Sequence, residues 1–175
     1  MNRIIILISF IIISLPSFTQ KSGVRWYTLQ EAEALLKKSP RPVFIDTYTD
    51  WCGWCKKMDA ETFTNEVIAD ILNTKFYPVK FDAEGKESIT FLGQTFINDG
   101  TAGRTHQLAL ALLQGRLSYP TVVFLTPQGD KFGISPVPGF RQPKDMEVLL
   151  SFFADKAYEK HNWEDFQKTF TGKVQ

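Results

Sequence analysis

The chain has 175 residues, 43% of them hydrophobic, and its 20 basic and 19 acidic side chains leave a net charge of +1. That balance argues against a protein that neutralises nucleic-acid phosphate or anionic lipid with clustered Lys and Arg, and 15 Phe, 5 Tyr and 4 Trp exclude a solvated, disordered chain. One compact domain fits the length, and the only two cysteines, Cys52 and Cys55, lie too close together to staple distant parts of it.

Met1-Asn2-Arg3 is a short positive start, and residues 4–15 form an apolar run broken only by two serines and ended by Pro16. A membrane-spanning helix needs roughly 20 apolar residues, whereas a secretory leader carries about 7 to 15 followed by small residues. Ser17-Phe18-Thr19 provides such residues ahead of Gln20. Residues 1–20 are therefore expected to be a signal peptide cleaved near residue 19 or 20, with an uncleaved N-terminal anchor as the alternative. Export puts the mature chain in the periplasm or outside the cell, where disulfides persist. That chain divides into one domain over residues 21–160 and a short tail over 161–175.

Thr28-Leu29-Gln30-Glu31 reads as a capping box, and Leu29, Ala32, Leu35 and Leu36 share one face of a helix over 29–38 that stops before Pro40. Pro42 to Tyr48 is short, apolar and partly β-branched, the pattern of a buried strand, and it runs directly into Trp51-Cys52-Gly53-Trp54-Cys55. The cysteines thus stand at a strand-to-helix junction. Lys56 to Glu61 continues as helix, Asn65 to Leu72 is a second amphipathic piece, and Phe76 to Asp82 is the next strand, which Pro78 should make less regular.

Residues 83–104 hold four glycines and a weak helical stretch around Ile89 to Phe96, so they form an excursion with some local structure. Gln107 to Leu113 is a strong helix former closed by Gly115. Thr121 to Leu125 is a strand that Pro127 to Asp130 turns toward Lys131 to Ile134, with Gly139 marking the end of the hairpin. Pro143 opens a helix with Met146, Leu149, Leu150, Phe153 and Ala157 on one stripe, and Asn162 can cap a last piece carrying Trp163, Phe166 and Phe170. Strands alternating with helices define the class as α/β.

Two thiols one helical turn apart, the first at a helix N-terminus, are a specific chemical arrangement. Unpaired N–H groups and the helix dipole stabilise the Cys52 thiolate, lowering its pKa from about 8.5 toward 7 or below. Cys55 is then placed to resolve a mixed disulfide formed by Cys52. Three other readings compete. A structural disulfide over so short a loop constrains little of the unfolded chain. Zinc would need four ligands, and His106 and His161 are far apart and outside finger spacing. A Cys-His hydrolase would have no use for Cys55. Both histidines read as surface or helix-end residues.

The run from Phe44 to Lys57, with Asp46, Tyr48, Asp50-Trp51 and the Cys-Gly-Trp-Cys pair, resembles the thioredoxin superfamily, over roughly residues 25–158. Within it the chain is most similar to the C-terminal thioredoxin-like domain of bacterial transmembrane disulfide reductases. The resemblance implies a three-layer α/β fold with a central mixed sheet flanked by helices. It also implies a redox-active Cys52–Cys55 disulfide. Asp46, six positions before Cys52, takes the place of a buried acid that assists Cys55 as a general base, while Asp50 reads as solvated. Ser118-Tyr119-Pro120-Thr121 matches the family's cis-proline loop, so Tyr119 and Pro120 are implied substrate-binding residues. Trp51 matches a packing position in the core. Trp54 stands where relatives carry proline or histidine, and it is a further candidate for substrate contact. Without a thiolate-stabilising histidine the pair leans toward a reductant. Lys56 and Lys57 read as an exposed helix face.

The expected function is an exported thiol-disulfide oxidoreductase, a protein-disulfide reductase working through Cys52, Cys55 and Asp46 with no metal, nucleotide or flavin. Its implied partners are exported disulfide-bearing proteins and an upstream membrane thiol donor. The alternative is a non-catalytic binding module that uses Trp54 and the Pro120 face to hold a polypeptide, its cysteines idle.

Overall fold

A computed structural model of the chain describes residues 23–129 and 131–175. The expected leader and its cleavage site lie outside these residues.

Helix α1, Leu29–Leu36, begins at Thr28 with both halves of the capping box formed: Glu31 N–H donates to the threonine hydroxyl and Thr28 N–H to the Glu31 carboxylate. Strand β1, Val43–Tyr48, leads into α2, Gly53–Glu61, and α3, Glu66–Lys75, follows with the Asn65 side chain capping Val67 and Ile68. Strand β2, Tyr77–Asp82, precedes a hairpin of β3, Ile89–Phe91, and β4, Gln94–Phe96. Helix α4, Gln107–Leu112, leads to β5, Thr121–Gln128, and β6, Lys131–Pro138. Helices α5, Pro143–Ala154, and α6, Trp163–Thr169, close the chain.

Four strands form one mixed sheet in the order β2-β1-β5-β6, with β1 and β2 parallel and the β1–β5 and β5–β6 pairs antiparallel. Because successive side chains of a strand point to opposite faces, β1 divides its residues between two cores. Val43 and Ile45 join Val79, Phe81, Val123 and Leu125 under α1, α4 and the small hairpin. Phe44 joins Val122 and Phe124 against Met58 of α2, Ile68 and Leu72 of α3, and Met146, Leu150 and Phe153 of α5. Helices thus cover both sheet faces, giving the three layers expected. The period of two also puts Asp46 on the Phe44 face, inside the second core.

Four local expectations change. Ile89 to Phe96 is a β-hairpin and not helical: Leu92 and Gly93 both take positive φ in a two-residue turn, Thr90 pairs with Thr95, and Glu33 of α1 accepts the Leu92 N–H. Pro78 leaves β2 regular, because its carbonyl points to the outer sheet edge, where it accepts Tyr27 N–H, and its nitrogen needs no partner from β1. The β5–β6 hairpin runs on to Gln128 and Pro138, since prolines are tolerated on an edge strand. His106 sits at a helix end but is buried: its Nδ1 caps α4 by accepting Leu108 N–H, and its Nε2 lies 2.9 Å from the Glu87 carbonyl oxygen. The tail is ordered into α6, whose Trp163 and Phe166 pack on Phe152 of α5.

Candidate functional site: a dithiol at a helix N-terminus

Cys52 is the N-cap of α2, and its N–H donates to Thr49 O at 3.1 Å, closing the turn out of β1. The Cys52 sulfur accepts the Cys55 N–H at 3.1 Å, and the two sulfurs are joined in a disulfide. Cys52 is 4% exposed and Cys55 1%, so both residues are largely enclosed and Cys52 is the less so. A thiolate released at Cys52 would lie at the positive end of the α2 dipole with free N–H groups beside it.

Asp46 lies within β1, fully buried. Its direct cross-strand neighbour on β2 is Lys80, whose ammonium donates to Asp46 Oδ2 at 2.5 Å and also to Asp59 Oδ1 on α2. Three rings surround that ammonium: Tyr48 at 4.9 Å, Trp26 at 5.3 Å and Phe63 at 5.5 Å. Burial raises the Asp46 carboxyl to about 6, despite the pull of Lys80 in the other direction. Burial also acts to lower Lys80, yet its two carboxylate partners outweigh it and hold the ammonium above the ordinary lysine range. The second Asp46 oxygen has no hydrogen-bond partner among the described residues. A carboxyl poised near neutrality, anchored through one oxygen with the other free, is suited to accepting a proton and returning it. Lys80 also lines a cleft of about 410 Å³ with Thr28, Tyr48 and Asp82.

The Tyr119–Pro120 peptide bond is cis. Thr121 Oγ1 donates to Ser118 O across this loop, and Pro120 O accepts the N–H of Gly139, a residue at φ +95 where a side chain would be strained. The next residue, Phe140, sets its ring 5.4 Å from Trp54, while Tyr119 sets its ring edge-on to Trp51 at 6.0 Å. Two aromatic pairs thus bracket the cysteines. Burial, with the Glu84 carboxylate behind it, raises the Tyr119 hydroxyl above the usual tyrosine range.

Trp51 is not in the core as expected: like Trp54 it is 58% exposed. It immediately precedes the helix cap, and its ring rests edge-on against Tyr119. Asp50 is exposed, as read from the sequence. Lys80, Asp59 and Phe140 were not anticipated. A lone lysine on the inward face of a strand otherwise reading Tyr-Pro-Val-Lys-Phe-Asp was the available signal for the first. Among the described residues no group of three or more His, Cys, Asp or Glu side chains could hold a metal ion, and no helix is long and apolar enough to cross a membrane.

The sheet order, the helix-capping dithiol and the cis-proline loop define a thioredoxin fold. A thioredoxin from Thermus thermophilus shares it, with a TM-score of 0.54 at 20% identity over 81% of this chain and 99% of that one. The chain belongs to the Thioredox_DsbH family, described as a protein of unknown function, DUF255, which matches residues 17–169. It is similar to the thiol:disulfide interchange protein DsbD of Pectobacterium atrosepticum, 31% identical over 126 residues, or 72% of this chain and 19% of that protein. Spermatogenesis-associated protein 20 of Mus musculus is 31% identical over 132 residues, 74% of this chain and 14% of that one. The chain therefore spans a fifth or less of the length of these two relatives. It is a thioredoxin-like domain, related to disulfide oxidoreductases, with a Cys-x-x-Cys pair at its site.

Proposed function

We propose that the chain is an exported protein-disulfide reductase. The reduced Cys52 thiolate attacks one sulfur of a substrate disulfide. A mixed disulfide forms with Cys52, and the other substrate sulfur leaves as a thiolate that takes a proton from water. Cys55 then gives its proton to Asp46 and attacks the Cys52 sulfur. The Cys52–Cys55 disulfide forms, the second substrate sulfur departs as a thiolate and is protonated, and two electrons have passed to the substrate. An upstream dithiol on a membrane-bound carrier returns the pair to its reduced form by the same exchange in reverse. Trp54, Tyr119 and Pro120 form the groove for the substrate chain. No metal, nucleotide or flavin takes part.

The observation that supports this most is the cysteine pair at the N-terminus of α2, the same helix that Asp59 ties through Lys80 to the buried Asp46, whose carboxyl is raised to about 6. The reductant direction rests on Trp54, which offers the Cys52 thiolate no imidazolium partner, so the reduced state is not specially stabilised. Residues 1–20 act as a cleaved leader and 161–175 as a C-terminal tail on a domain over 21–160, which N-terminal sequencing of the exported protein checks. Cys55→Ala should accumulate mixed disulfides between Cys52 and exported proteins, and Cys52→Ser should accumulate none. Full biological activity in Cys52→Ser would instead favour the binding-module reading, to which the exposed Trp51 and Trp54 rings lend their apolar surface.

A further inference from the structure

The rims on the two sides of the disulfide differ in charge. On one side Lys57 of α2 holds its ammonium 5.3 Å from the Trp54 ring centroid and 5.5 Å from that of Phe140. Lys56 stands exposed next to it. The acid nearest Lys57 is Glu61, at 3.8 Å, with both side chains about half exposed, so water screens that pair and it holds the ammonium weakly. Across the disulfide, the Trp51–Tyr119 pair is flanked by acids: Asp50 is exposed one residue before Trp51, and Asp82 lies at the end of β2 opposite Tyr48. Glu84 lies beyond them, its charge offset by Arg104 at 3.4 Å.

Four half-exposed or exposed rings between a basic and an acidic rim make a selective surface and not a general apolar one. The two rings under Lys57 restrict where its ammonium can go before any partner arrives, so less side-chain freedom is lost on binding. An acidic side chain arriving beside Trp54 replaces the loose contact with Glu61. A basic one meets the same ammonium and is repelled.

We infer that Lys57, Trp54 and Phe140 form a specificity subsite for protein disulfides whose cysteine is followed or preceded within a few residues by an acidic side chain next to an apolar one. This rests on the reading of Cys52 as the attacking thiolate. The occupant is an extended polypeptide segment with an apolar side chain on the Trp54 and Phe140 rings and a carboxylate at the Lys57 ammonium.

The test uses two synthetic peptide disulfides identical except that a Glu in one is a Lys in the other, two residues from the cysteine and beside a Leu. Single-turnover reduction by the fully reduced chain is followed at low ionic strength, with hydroxyethyl disulfide as an uncharged control. The native protein should reduce the acidic peptide roughly fivefold faster than the basic one, as expected for an exposed charge contact. The ratio should fall toward 1 in Lys57→Gln, invert in Lys57→Glu, and shrink in the native protein as salt is raised. An equal rate for both peptides, or a preference that persists unchanged in both variants, overturns the subsite. Failure of the native protein to reduce hydroxyethyl disulfide or either peptide overturns the redox reading beneath it. Both substitutions are on an exposed helix face, and Lys57→Gln removes the charge without reversing it should charge reversal perturb α2.

Discussion

Two aromatic clusters lie in this molecule, built from the same kinds of side chain and put to opposite uses. Under α2, α3 and α5, Phe44, Phe76, Phe124 and Phe153 are packed ring on ring, with Phe124 and Phe153 stacked at 3.9 Å between centroids. At the dithiol, Trp51 and Trp54 leave more than half their surface in water. The buried rings have been removed from solvent and hold the sheet to its helices. The exposed pair contributes little to folding, because its apolar area is still wet, and that leaves the area available for a partner. Contact geometry alone would not separate the two clusters, since both contain ring pairs within about 5 to 6 Å; burial does.

If this division is correct, the cost of substitutions should fall steeply from one cluster to the other. Phe124→Ala is expected to lower the stability of the oxidised protein by about 3–5 kcal/mol in chemical denaturation, the range for deleting a buried ring and leaving a cavity. Next comes Asp46, between the clusters. Its carboxyl is raised to about 6 in the fold from 3.8, so its own contribution to stability is fully present below about pH 4 and is lost as the pH rises from there through 6. That loss should amount to on the order of 2–3 kcal/mol, and it should be absent from the pH dependence of Asp46→Asn. The same variant should resolve the mixed disulfide slowly at neutral pH and lose the rise in rate near pH 6. Thr28→Ala removes the capping box of α1 and should cost about 1 kcal/mol. Trp54→Ala should change stability by less than about 0.5 kcal/mol while slowing reduction of protein disulfides far more than reduction of a small one. A Trp54→Ala loss as large as that of Phe124→Ala would erase the distinction.

The elements legible in the sequence are those whose signal is local. The Thr28 to Glu31 box, the apolar run of β1, the dithiol after it and the stripe on α5 each declare themselves within a dozen residues. Asp46 is legible through the resemblance, as the acid six positions before Cys52, and the strand alternation puts it on the Phe44 face. Its clamp was not. Lys80 reaches Asp46 only through the register of β1 on β2, and Asp59 only through the rotation of α2 above them, neither of which leaves a mark in the local pattern. The hairpin at 89–96 was missed because strands of three residues are too short to show a period and Leu92 is an unusual residue at positive φ. Trp51 departs from the packing position that the resemblance implies: its ring stays 58% exposed and meets Tyr119 of the cis-proline loop, a contact between residues 68 positions apart that no local pattern announces.

The claim at the centre of this account is that the Cys52–Cys55 pair donates electrons, and its equilibrium with glutathione buffers measures that most directly. The pair should remain a disulfide until the buffer is strongly reducing, with a potential close to the about −270 mV of a reductant such as thioredoxin. A value near about −120 mV, where a dithiol is the stable form and its disulfide a strong oxidant, would contradict it.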